Sequence, residues 1–168
     1  MENSKKITMK AVLEGLFISV IVTVAVVVLG KFKIHQVWPA TIALMFFFES
    51  KVRMDNIKNI FIGGASGILL AYGMIKGVVF LGPVLGNADL ALLLPLFVIV
   101  FLIVALGEVA HPLFNNYTFC YFTVALITGA EQAPIPCLIS LVLGGGFLVF
   151  MAIQLVRVVT KKAHSTSA

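Results

Sequence analysis

A chain of 168 residues that is 61% hydrophobic and 11% charged, with a mean hydropathy of +1.12, is not a soluble domain, since soluble domains carry about a quarter charged residues. The net charge of +5 reads in this setting as basic loop residues of a membrane protein, and no nucleic-acid partner is expected. One membrane domain fits in residues 1–168, with no room for a separate soluble enzyme.

Six apolar segments are predicted, at about 10–30, 35–49, 57–80, 89–107, 111–130 and 134–157, making the chain all-α with six transmembrane helices. The first, Ala11 to Leu29, has the ~20 residues a span requires. Lys31 and Lys33 follow it instead of a small-residue cleavage site, so it reads as a span and not a signal peptide. The second is short for a bilayer and is expected to tilt or to be partly re-entrant. Pro39 lies near its start, where a missing N–H costs little, and Trp38 reads as an anchor at headgroup level. Phe46-Phe47-Phe48 offers a surface to lipid or to a partner. Glu49, in the polar loop that follows, is expected to pair with Lys51, Arg53 or Lys58.

The third segment carries Asn59, Gly63, Gly67 and Ala71 at four-residue spacing. The first has a similar ladder in Ala11, Gly15, Ser19 and Thr23, and the sixth repeats it with Ser140 and Gly144. Small residues so spaced let helix backbones approach closely, so these ladders mark faces expected to turn inward. Gly77, Gly82, Pro83 and Gly86 mark a seam before the fourth segment. Pro112 is expected at the start of the fifth as Pro39 is at the start of the second. Cys120 and Cys137 fall inside apolar segments and read as buried hydrophobes, not as a disulfide or metal pair. Residues 163–168 form a small polar tail, expected to be disordered.

A spacing pattern recurs along the chain. Leu29-Gly30, His35 and Gly67 return as Leu106-Gly107, His111 and Gly144, at offsets of 77, 76 and 77. Repeat one then covers about 10–80 and repeat two about 88–157. With three spans each, the second repeat enters the membrane in the opposite sense, an arrangement that recurs in transporters with the pathway between the halves. Nine of the twelve Lys and Arg residues fall on one side, among them Lys10, Lys51, Arg53, Lys58 and Arg157. Lys31, Lys33 and Lys76 fall on the other, which sets both termini in the cytoplasm.

Polar groups at membrane depth require a reason, and the richest set opens the fifth segment. It comprises His111, Asn115, Asn116, Tyr117 and Thr118. Adjacent amides cannot share one helix face, so Asn115 and Asn116 meet different neighbours or the helix is broken there. A break would free backbone N–H groups for a solute, whereas an intact helix would use the amides to bond a neighbouring span. Thr41 occupies the matching place in the first half, where it can also bond its own backbone. His35 and His111 fall at opposite membrane faces, either as gating groups or as solvated side chains, and Glu108 is placed to pair with His111 as a proton-responsive element. No metal-binding, phosphate-binding or nucleophile motif is present, so neither an enzyme nor a cofactor is expected.

The run Asn56-Ile57-Lys58-Asn59-Ile60-Phe61-Ile62-Gly63-Gly64-Ala65-Ser66-Gly67 and the stretch from Asn116 through Gly146 resemble small bacterial inner-membrane proteins of the domain-of-unknown-function 1097 group. The first half is also similar to the fusaric-acid-resistance and aromatic-acid-exporter membrane domains. His111-Pro112 resembles the name motif of the HPP family, linked with nitrite transport, but Leu113 stands where that motif has its second proline. These resemblances imply a six-span protein of the bacterial inner membrane that moves a small solute. The expectation is a transporter or channel for a small anion or carbonyl-bearing solute, with Thr41, Asn115, Asn116, Tyr117 and Thr118 along the pathway, His35, Glu108 and His111 at its mouths, and Gly63, Gly67 and Gly144 packing the helices. The lipid bilayer and a second copy of the chain are its expected partners, and the alternative is an accessory membrane subunit without a pathway.

Overall fold

A computed structural model describes residues 9–31, 35–129 and 134–165, and the described residues form helices and turns without a strand. In chain order they are α1 (Met9–Lys31), α2 (Trp38–Glu49), a 3-10 turn (Met54–Asn56), α3 (Ile57–Leu85), α4 (Ala88–Ala105) and α5 (Asn116–Thr128). A last rod follows, made of α6 (Pro134–Ile139), a π-helical turn (Ser140–Gly145) and α7 (Gly146–Ser165). Three helical stretches are long and apolar enough to cross a membrane: Met54–Leu85, Ala88–Ala105 and Pro134–Arg157. Ile18–Lys31 and α2 are shorter apolar helices.

Local chemistry sets the ends. Pro39 sits in the first turn of α2, where its fixed φ suits the helix. At the other end the Ser50 N–H and hydroxyl return to the Phe46 and Phe47 carbonyls. Lys51 and Val52 then reverse the chain at φ 56° and 61°, a strained choice for a β-branched valine, with both N–H groups bonded back to Phe48 and Phe47. Gly86, at φ 60°, closes α3 with its N–H on the Gly82 carbonyl. Asn87 at once caps α4 by accepting from the Asp89 and Leu90 N–H groups.

α3 is the organising element. It packs along α5, against α4 and against the last rod, while α2 packs on the π-helical turn and α7 of that rod. Asn59 meets Asn115, and Gly67 meets Thr118 and Phe122, so α3 and α5 run in the same sense. Gly144 faces Ala40 and Gly145 faces Ala43, so α2 and the last rod also share a sense. Phe46 meets Tyr117 and Pro39 meets Tyr121, so the two short helices oppose each other. Tyr121, Phe47, Phe122, Ile60, Ile68 and Leu141 fill the centre. The outer faces are apolar instead of polar, with Phe80 72% and Phe97 69% exposed.

Several expectations are corrected. The fifth helix begins at Asn116, not near 111, because residues 106–113 form successive turns and Asn115 is the cap; Pro112 lies in those turns. Phe46 and Phe47 are buried, since α2 packs on α3 and the last rod, and of the three only the half-buried Phe48 keeps part of its surface outside. The ladder of α1 faces outward: Gly15, Ser19 and Thr23 are exposed, and both hydroxyls bond their own helix. α1 seats itself through Ala25 and Leu29 instead. The tail expected from 163 is helical to Ser165, and 166–168 lie outside the described residues.

Candidate functional site

The described polar side chains concentrate where the turns after α4 enter α5. Asn115 has extended backbone, φ −150°, and its Oδ1 accepts from the Thr118 N–H at 3.0 Å. The Thr118 hydroxyl accepts from the Asn115 N–H at 3.3 Å, closing a reciprocal box, and donates to the Leu113 carbonyl at 2.8 Å. The Asn115 Nδ2 is shared among the carbonyls of His111 (2.8 Å), Pro112 (3.2 Å) and Asn59 (3.4 Å). One amide therefore caps α5, holds the preceding turn and ties both to α3. Thr118 is fully buried beneath it.

Gly63 is required for this seat. A Cβ there would lie 2.6 Å from Asn115 Oδ1 and 3.0 Å from Thr118 Oγ1. One turn on, a Cβ on Gly67 would run into the Thr118 carbonyl oxygen and come within 2.8 Å of the Phe122 nitrogen. Tyr117 extends the network in the other direction: its hydroxyl accepts from Asn56 Nδ2 at 2.9 Å, and Asn56 Oδ1 accepts from Asn59 Nδ2 at 3.2 Å. Its ring stands edge-on to Phe46, with centroids 4.7 Å apart.

Beside the cap lies an open cavity of about 420 Å³. Ile103, Val104, Phe114 and Phe119 give it apolar walls, and His111, Asn115 and Asn116 supply polar groups. Asn116 and His111 are exposed, and among the described residues neither side chain has a hydrogen-bond partner. A larger cavity of about 600 Å³ between α1 and the last rod has only apolar side chains in its lining, such as Val28, Leu29 and Phe147. Of these two cavities, the smaller is the one with polar side chains in its lining.

The other expected residues lie elsewhere. Thr41 donates its hydroxyl to the Trp38 carbonyl at 3.0 Å, within its own helix. His35 is exposed in the segment before α2. Glu108 is exposed in the turns after α4 and, among the described residues, makes no ion pair with His111. Gly144 packs on Ala40 and Leu29, where a Cβ would lie 2.9 Å from the Ala40 Cβ. The sequence reading missed Tyr121, whose buried hydroxyl donates to the Pro39 carbonyl at 2.9 Å. It also missed Asn56 as the partner of Tyr117. Both are contacts between segments far apart in the chain, for which local spacing carries no signal.

Comparison with protein-family models, with curated proteins and with solved structures gives no match for this chain.

Proposed function

We propose that the chain is a small-solute transporter or channel of the bacterial inner membrane, built from two inverted three-helix repeats with both termini cytoplasmic. The observation that carries this reading is the cavity at the start of α5, where the His111 and Asn116 side chains are free to meet a solute against apolar walls. The first-turn N–H groups of Asn116 and Tyr117 have no partner among the described residues, which favours a small anion or carbonyl-bearing solute. Asn115, Thr118 and Tyr117 shape the mouth, and Thr41 belongs to the matching mouth near His35.

The packing supports two inverted repeats. Ile57 and Pro134, which begin the two long rods, are 77 positions apart. α3 packs along α5, and the last rod packs along α2, as an exchange of halves requires. Gly64 and Leu141 are counterparts at the same offset and lie against each other, as residues near a two-fold axis between the halves would. The apolar outer faces support a lipid surround, and the outward small-residue face of α1 supports association of two copies.

A second reading, an accessory membrane subunit without a pathway, draws on the commitment of Asn115 and Thr118 to internal hydrogen bonds. Proteoliposome flux separates the two. Small organic and inorganic anions, neutral amides and ammonium are screened with and without a pH gradient. Flux that vanishes with Asn116→Leu in inserted, folded protein is the expected result; a flux that Asn116→Leu leaves intact removes the site, and no flux from folded protein favours the accessory subunit.

A further inference from the structure

α4 is seated by one edge. Ala91, Pro95 and Ile103 are its only buried residues, while Leu93, Phe97, Phe101 and Val104 are exposed on the other side of the helix. That side carries an open groove of about 540 Å³, lined by apolar side chains from Leu93 through Phe97, Val100 and Phe101 to Val104. The Phe97 and Phe101 rings stack in its wall, with centroids 6.4 Å apart and planes 13° from parallel. The helical rise puts about 16 Å between Leu93 and Val104, the length of an extended chain of about a dozen carbons.

Val104 also lines the cavity at the start of α5, so the groove and that cavity meet at this residue. Beyond the junction stand His111 and Asn116, whose side chains have no partner among the described residues. A compact ion would occupy the polar end and leave the groove empty. A long apolar groove that leads to two unpartnered polar side chains is the complement of an amphiphile.

We infer that the site binds a single-chain amphiphile, a long-chain carboxylate, with its head against His111 and Asn116 and its acyl chain in the groove along α4. This rests on the reading of that cavity as a solute site and names the class of solute. The groove follows one side of one helix, so a second acyl chain would have no place in it. A carboxylate is a head that both side chains can meet, the imidazole and the amide each donating an N–H. Glu108, acidic and exposed in the same turns, does not line the cavity. Such a ligand dissolves in the bilayer through its chain, and the exposed side of α4 lets it enter sideways.

Tryptophan quenching tests this without reference to flux. Trp38 is the only tryptophan of the chain, so Trp38→Phe gives a silent background. Phe97→Trp in the groove and Phe119→Trp at the cavity are read in nanodiscs against dodecanoate brominated either at its terminal carbon or beside the carboxylate. Phe80→Trp, on the outer face of α3, reports dodecanoate that is merely dissolved in the bilayer. Saturable quenching is expected at the first two positions and not at the third. The terminal bromine should quench Phe97→Trp more strongly, and the bromine beside the carboxylate Phe119→Trp. Combining His111→Ala with Asn116→Leu should raise the half-saturating concentration about tenfold, and dodecanol should compete at about tenfold higher concentration than dodecanoate.

Quenching that rises linearly at all three positions overturns the inference, as does half-saturation unaltered by the loss of His111 and Asn116. Equal competition by dodecanol removes the carboxylate and overturns it too. Quenching of Phe97→Trp by a brominated phospholipid that dodecanoate cannot displace would make the groove ordinary lipid contact. No quenching there, in protein that cross-links as a dimer through α4, would give the groove to a second copy; either result overturns the inference. If Phe97→Trp does not fold, Leu93→Trp takes its place. Saturable quenching in folded protein that moves no solute would remove the transport reading and leave the binding site. Flux lost with Asn116→Leu, without saturable quenching, would do the reverse.

Discussion

The Tyr121 hydroxyl of α5 donates to the Pro39 carbonyl of α2 at 2.9 Å, bridging the two short helices at the centre of the molecule. The ring is fully buried, 5.8 Å from Trp38 and 6.3 Å from Phe46 between centroids, so an apolar contact and one hydrogen bond share the same side chain. Tyr121→Phe keeps the ring and removes the bond. It is expected to cost about 1 kcal/mol, read as a lower unfolding midpoint in detergent with helix content unchanged. Tyr121→Ala removes the ring as well and is expected to cost about 3–5 kcal/mol. Equal midpoints for Tyr121→Phe and the parent would mean that the hydroxyl contributes nothing to holding the short helices together.

Glycines in α3 separate two effects that composition alone does not distinguish. At Gly67 an added methyl meets the backbone of α5, including the Phe122 nitrogen at 2.8 Å, and backbone cannot rotate away. Gly67→Ala is therefore expected to destabilise by about 1–3 kcal/mol. Gly73 lies on the same helix, is exposed, and has open space where its Cβ would be. Gly73→Ala should stabilise by about 0.5–1 kcal/mol through helix propensity. Opposite shifts of the unfolding midpoint are the test, and a destabilising Gly73→Ala would show that this face of α3 is covered by something beyond the chain.

Hydropathy located the helices because apolar runs of this length carry their own signal, and the G-x-x-x-G of α3 pointed to the right face because only glycine admits α5 so closely. The same logic failed on α1. Ser19 and Thr23 satisfy their hydroxyls within the helix, so a small-residue ladder there sets no direction. The start of α5 was misplaced because Asn115 and Thr118 form their box with an amide and a hydroxyl, outside the Ser/Thr–Glu/Gln pattern, while Pro112 suggested a helix start three residues earlier than the cap. The π turn had no legible signal: Gly144-Gly145-Gly146 marks a weak stretch of helix without specifying its register. Of the candidate site, the cluster from His111 to Thr118 was legible as polar residues beside an apolar segment. Which of them face a cavity and which are tied internally depends on Asn59 and Gly63 of α3, far away in the chain.

Asn115 and Asn116, adjacent in sequence, are expected to fail in different ways. Asn115 caps α5 and holds the His111 and Pro112 carbonyls, so Asn115→Ala loses the cap and the tether together, about 2–3 kcal/mol. Asn115→Ser keeps an oxygen for the Thr118 N–H but cannot reach the three carbonyls, and its unfolding midpoint should fall between those of the parent and Asn115→Ala. Asn116 is exposed on the cavity and bonds nothing among the described residues, so Asn116→Leu should shift stability by no more than about 0.5 kcal/mol. On the proposed transport reading, its effect is on flux. Measured on the same purified proteins, a midpoint lowered only by the Asn115 changes and a flux lost with Asn116→Leu would separate the residue that builds the mouth from the one that meets the solute. A midpoint lowered as far by Asn116→Leu as by Asn115→Ala would put both amides in the fold and leave His111 as the polar group of the cavity.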